Sequence, residues 1–206
     1  MALNPACLGL YLCTDRALLN GRSLARAVEE AIAGGVTIVQ LREKELSSRE
    51  FYETAKEILA ITKRRGVPLI INDRLDIALA AGANGVHLGQ DDLPVCAART
   101  LAGRDFIIGV SAHNRAEAVR AEQEGADYIG AGAVFATGTK ADASVIGPEG
   151  LAEAVRAVRI PVVGIGGINS ANIIRVRETG AAGAAVISAI LRSNDIRSAA
   201  AGLVNK

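Results

Sequence analysis

Eight short segments of continuously apolar residues, each followed by a helix or helical turn, predict a closed barrel of eight parallel strands, the α/β class with (β/α)8 or TIM-barrel architecture. Strands covered on both faces lose the alternation of polar and apolar positions, and these segments read that way. The chain of 206 residues meets the length of roughly 200 that such a barrel needs. No linker or low-complexity tract interrupts it, so residues 1–206 are expected to form a single domain. A doubly wound open sheet is the alternative, but the glycine fingerprint expected after its first strand is missing.

The first strand is expected over 8–13, ending at Thr14 and Asp15. Ser23 caps a helix with Leu24, Val28, Ala31 and Ile32 on one face, and Gly34-Gly35 stops it. Ile38, Val39 and Leu41 mark strand two. Ser47 and Glu50 have capping-box spacing before a helix with Phe51, Ala55, Ile58 and Leu59 inward. Strand three covers 68–71 and runs into Asn72-Asp73-Arg74; a short helix near 77–81 leads to strand four at 85–88. Pro94 opens the next helix, and strand five spans 106–110. Asn114 and Glu117 have cap spacing ahead of a helix to Glu124, and strand six covers 128–130. A Gly/Thr-rich loop over 133–147 leads to a helix that starts near Pro148 and turns Leu151, Val155 and Val158 inward. Strand seven (162–165) turns through Gly166-Gly167 into a helix over 170–179; strand eight (184–187) precedes a last helix near 195–203.

Composition restricts the function classes. The formal net charge is +1, from 23 basic and 22 acidic residues, so no global field draws in nucleic acid or a membrane, and anion binding must be local. Aromatic residues make up 3% of the chain, leaving no platform for stacked bases. Cys7, Cys13 and Cys96 lack metal or redox spacing, and no apolar run approaches a membrane span of about 20 residues. A cytoplasmic protein is expected. Barrels of this size often pair, so a homo-oligomer remains open.

In a barrel of this class the reacting groups lie at the C-terminal ends of the strands. Gln40, Arg42 and Lys44 follow strand two, and Asn72 with Asp73 follows strand three. Asp91 and Asp92 follow strand four, Ser111 strand five, Thr137, Thr139 and Lys140 lie in loop six, and Ser188 follows strand eight. Cationic groups beside carboxylates on one rim suggest a diphosphate held with Mg²⁺, because carboxylates facing an anion repel it unless a divalent cation intervenes. Position alone leaves Asp91 and Asp92 both open as ligand. Gly164-Ile165-Gly166-Gly167 with Ile187-Ser188 suggests a second phosphate pocket built on backbone N–H groups. His87, inside an apolar strand, reads as a core histidine with its bonds satisfied; His113 reads as a loop residue near Ser111.

Together these motifs resemble the thiamine phosphate synthase family nearly end to end. The matching stretches are Gln40-Leu41-Arg42-Glu43-Lys44, Asn72-Asp73-Arg74 and Gly85-Val86-His87-Leu88-Gly89-Gln90-Asp91-Asp92. They continue with Gly109-Val110-Ser111-Ala112-His113, Thr137-Gly138-Thr139-Lys140, Gly164-Ile165-Gly166-Gly167-Ile168 and Val186-Ile187-Ser188. The resemblance implies an enzyme of thiamine biosynthesis that joins hydroxymethylpyrimidine diphosphate to a thiazole phosphate, plain or carboxylated, and releases diphosphate. It implies Asp73 and Asp92 as Mg²⁺ ligands. Gln40, Leu41, Arg42, Glu43, Lys44, Asn72, Ser111 and Lys140 would hold the pyrimidine diphosphate, with Arg42, Lys44 and Lys140 also catalytic. Thr137, Gly138, Thr139, Gly167, Ile187 and Ser188 would hold the thiazole phosphate. The rivals are a thiazole tautomerase of the same superfamily and a phosphate-ligand sensor without turnover.

Overall fold

The computed structural model describes residues 3–138 and 144–205. Its strands are β1 (Leu10–Cys13), β2 (Ile38–Leu41), β3 (Leu69–Asn72), β4 (Gly85–Leu88), β5 (Ile107–Ala112), β6 (Tyr128–Gly132), β7 (Val162–Ile165) and β8 (Gly183–Val186). All pair in parallel with their sequence neighbours, and β8 returns to β1, closing the barrel. The helices are α1 (Leu24–Ala33), α2 (Ser48–Arg64), α3 (Leu75–Ala81), α4 (Val95–Ala102), α5 (Arg115–Gln123), α6 (Gly147–Ala157), α7 (Ile173–Arg177), α8 (Ser188–Leu191) and α9 (Ile196–Val204). No helix among the described residues is long and apolar enough to cross a membrane.

The period of the strands sorts side chains into two layers. Leu10, Leu12, Val39, Leu41, Leu69, Ile71 and Val86 face outward into the layer shared with the helices. Tyr11, Cys13, Ile38, Ile70, Tyr128, Val163 and Ala185 fill the interior with Leu8. The interior accommodates two tyrosines because small residues stand opposite them. A Cβ on Gly109 would lie 2.0 Å from the Tyr128 Cζ, and Gly109 pairs with Tyr128 in register.

Three local readings change. The first strand begins at Leu10, not Leu8, because Pro5–Leu8 forms a 3-10 turn capped by Asn4, whose Oδ1 accepts from Ala6 N–H at 3.1 Å. That turn delivers buried Leu8 into the same interior cluster as Tyr11. A second 3-10 turn, Arg16–Leu19, follows β1, and α8 follows β8; neither has enough residues to show a helical period. The helix expected over 170–179 shrinks to α7. Asn169 and Asn172 redirect the preceding backbone, with Asn172 Oδ1 accepting from Asn169 N–H at 2.8 Å and Asn169 Oδ1 from Ala171 N–H at 2.9 Å. The capping box of α2 forms as the spacing predicts, with Ser47 and Glu50 bonded reciprocally.

Candidate active site

One cavity of about 370 Å³ opens at the C-terminal end of the barrel. Strand alternation decides which of the β2 residues reach it. Gln40, Arg42 and Lys44 line the cavity, whereas the intervening Leu41 is fully buried in the outer layer. Glu43 does not line it either; its carboxylate pairs with Arg16 at 2.7 Å. Thr14, buried at the end of β1, accepts from the Arg42 backbone N–H at 3.0 Å, anchoring the chain where the cations begin.

Asn72, Asp73, Asp91 and Asp92 line the same cavity from β3 and β4. Asp73 adopts a left-handed backbone, φ 61°, which Asp tolerates better than most side chains. Its N–H donates to the His87 carbonyl at 2.8 Å, so the loop turns at a fixed point. Burial, followed by the hydrogen bond and charge of Asp92, pushes the Asp73 carboxyl up to about 6, with Arg42 and Lys44 opposing the rise. Asp92 is itself oriented by the Gly89 N–H, which donates to Oδ2 at 2.6 Å. Two carboxyl groups pressed together beside cations form a hard oxygen donor set that a divalent ion would relieve, and that fits Mg²⁺. Among the described residues no cluster of three or more His, Cys, Asp or Glu could hold a metal, so substrate or water oxygens would complete such a site.

Ser111 and His113 reach the cavity from β5 and the loop after it. Glu117 Oε2 takes both the backbone N–H of His113 at 2.8 Å and its Nδ1 at 2.9 Å, which turns Nε2 away from Glu117. His87 also lines the cavity, with both ring nitrogens partnered: Nδ1 to the Tyr128 hydroxyl at 2.9 Å and Nε2 to Ser111 Oγ at 3.0 Å. Tyr128 in turn meets the Tyr11 hydroxyl at 2.8 Å, and Gln40 Nε2 donates to Tyr11 at 2.9 Å. Tyr11 and Tyr128 escape a reading of the strand ends because they sit one turn of the pleat deeper. The signal for Tyr128 is the small residue beside it on the neighbouring strand, Gly109.

Burial depresses the His87 pKa from 6.5 to about 4. Between those values the unfolded chain binds a proton that the folded chain refuses. The contribution to stability is therefore complete above pH 6.5 and is lost as pH falls toward 4. The whole loss is about 3 kcal/mol. Denaturant melts of wild type and His87→Gln over this range are expected to show the wild type losing more stability on acidification; parallel losses would contradict the assignment.

The residues expected to form a second phosphate pocket lie only partly on the cavity wall. Thr137, Gly166 and Ile187 line it; Gly138, Gly167 and Ser188 do not. Gly167 has φ 65°, a Cβ there would lie 2.5 Å from the Ala136 carbonyl, and Asn172 Nδ2 donates to the Gly167 carbonyl at 2.9 Å. Thr139 and Lys140 lie outside the described residues. Cys13 lines the cavity as well, but burial pushes its thiol up to about 12, so it offers no thiolate nucleophile.

A family profile described as thiamine monophosphate synthase (TMP-TENI) matches residues 10–190. The chain belongs to the thiamine monophosphate synthase family. Curated relatives agree with this family across nearly their whole length. The thiamine-phosphate synthase of Ruminiclostridium cellulolyticum is 54% identical over 195 residues, covering 95% of this chain and 93% of that one. That of Syntrophomonas wolfei is 56% identical over 188 residues, covering 91% and 90%. Among solved structures, thiamine phosphate pyrophosphorylase from Pyrococcus furiosus superposes with a TM-score of 0.91 at 44% identity, over 98% of this chain and 96% of that one. All the expected site motifs except the part of loop six beyond Gly138 thus fall on described backbone within the span the family profile matches.

Proposed function

We propose that this chain makes thiamine phosphate by joining hydroxymethylpyrimidine diphosphate to a thiazole phosphate, with Mg²⁺ held by Asp73 and Asp92. Family membership makes it a transferase of thiamine biosynthesis. The observation that carries the finer reading is a single cavity lined by Arg42, Lys44, Asp73 and Asp92, side chains that come from three different strand ends. Arg42 and Lys44, joined by Lys140 from loop six, stabilise the charge that grows on the departing diphosphate. Bound there, Mg²⁺ would supply further positive charge to the diphosphate oxygens. Asn72 and Ser111 hold the pyrimidine diphosphate with Gln40. Leu41 and Glu43 act from behind, Leu41 through the outer core and Glu43 through Arg16.

As the bond from the methylene carbon to the diphosphate breaks, its electron pair leaves with the diphosphate, and the thiazole nitrogen forms the new bond to carbon. No protein nucleophile is needed, and Cys13 is held as a thiol. Thr137, Gly138, Thr139, Gly167, Ile187 and Ser188 orient the thiazole phosphate, a proximity effect. The enzyme works as a single domain over residues 1–206 in the cytoplasm, a location consistent with Cys7, Cys13 and Cys96 all being unbridged. Mixing the two phosphorylated substrates with Mg²⁺ is expected to release diphosphate and form thiamine phosphate. Binding without release, or rearrangement of the thiazole alone, would contradict this reading.

A further inference from the structure

Gln40, Tyr11, Tyr128, His87 and Ser111 form one unbroken hydrogen-bonded line across the barrel, and all five line the cavity. In such a line each tyrosine gives one proton and takes one, and a neutral imidazole gives from one nitrogen while taking at the other. One donor at either end therefore sets every other bond, and only two directions exist.

In the first, Gln40 gives an amide N–H to Tyr11, Tyr11 gives to Tyr128, and Tyr128 gives to His87 Nδ1. His87 then carries its proton on Nε2 and gives it to Ser111 Oγ. The Ser111 proton has no place in the line and is left to donate into the cavity, while the Gln40 side-chain oxygen is left to accept. In the second direction Ser111 spends its proton on His87 Nε2 and Gln40 must turn its amide over. Ser111 then offers the cavity only lone pairs, and Gln40 only N–H groups.

We propose that the line runs from Gln40 to Ser111, and that Tyr11, Tyr128 and His87 are positioning residues that fix Ser111 as a donor to a phosphate oxygen and Gln40 Oε1 as an acceptor for a donor on the pyrimidine. This rests on the reading of the cavity as a pyrimidine diphosphate site. An anion beside Arg42 and Lys44 requires donors, and the reverse direction would set Ser111 lone pairs against it. Gln40 Nε2 stands at the Tyr11 hydroxyl, as the first direction needs. The Ser111 backbone is also held, since its carbonyl accepts from Gln90 Nε2 at 2.7 Å.

The barrel also keeps the lane clear for the line. A Cβ on Gly109 would collide with the Tyr128 ring, and one on Gly130 would come within 3.1 Å of His87 Cε1. Because the line is continuous, recognition at one end is tied to recognition at the other: a ligand that forces Gln40 to turn also takes the donor away from Ser111.

Nitrogen-15 NMR of His87 in the wild type tests the direction without any variant. A protonated Nε2 and a bare Nδ1 are expected, and a proton on Nδ1 would overturn the proposal. Tyr128→Phe keeps the ring and deletes the link. It is expected to blur the His87 tautomer and to lower kcat/KM for the pyrimidine diphosphate about tenfold, with KM for the thiazole phosphate unchanged. His87→Gln, whose side-chain N–H replaces Nε2–H, should keep more of that kcat/KM than His87→Leu. Equal losses toward both substrates, or none, would reduce the line to packing and overturn the proposal. The wild-type spectrum needs no turnover, so a failed diphosphate-release assay would strike the reading of the cavity and leave the direction of the line decided on its own.

Discussion

Asp92→Asn is expected to lower turnover by about 10²–10³-fold while the barrel stays folded. The variant keeps an oxygen for the Gly89 N–H, now 2.6 Å from Asp92 Oδ2, so the loop after β4 retains its anchor. What it removes is the charge of one of the two carboxylates proposed to hold Mg²⁺ beside the diphosphate. Asp73→Asn should behave alike, since Asn tolerates the left-handed φ of 61° that position 73 adopts. Diphosphate release at saturating Mg²⁺, read beside thermal melts, checks both. Near-normal turnover in either variant would remove that carboxylate from the role assigned to it.

Arg42→Ala is the second large effect, a loss of about 10²–10³-fold in kcat. The Arg42 backbone N–H bonds Thr14 whatever its side chain, so the strand end should survive the substitution. Arg42→Lys separates charge from shape: an ammonium keeps the charge but not the planar fork that engages two phosphate oxygens together. It should recover only part of the loss. Lys140→Ala is expected to match Arg42→Ala, because the proposed function gives both cations the task of stabilising charge on the departing diphosphate. A full recovery by Arg42→Lys would show that charge alone suffices at this position.

The eight strands are legible in the sequence because a parallel strand covered on both faces must be apolar throughout, and Ile70-Ile71 or Val162-Val163 can hardly be read otherwise. The rim residues follow from those strand ends by chain direction alone. The misses have physical causes. Pro5–Leu8, Arg16–Leu19 and α8 are four residues each, too short to express a period. Asn169 and Asn172 spend their side chains on backbone groups and delay α7. Leu41 and Glu43 belong to a cavity motif by sequence, yet the pleat turns them away from it. Tyr11 and Tyr128 read from the sequence only as members of strands one and six; that their hydroxyls meet inside the barrel depends on Gly109, a residue 98 positions from Tyr11 that no local window connects to it.

Calorimetric titration of the protein with inorganic diphosphate, with and without Mg²⁺, is the most direct test of a metal-bridged anion held by charges from separate strand ends. Tight binding with Mg²⁺, at least about tenfold weaker binding without it, and loss of that difference in Asp92→Asn are the expected results. Equal affinity in the presence and absence of Mg²⁺ would contradict the account.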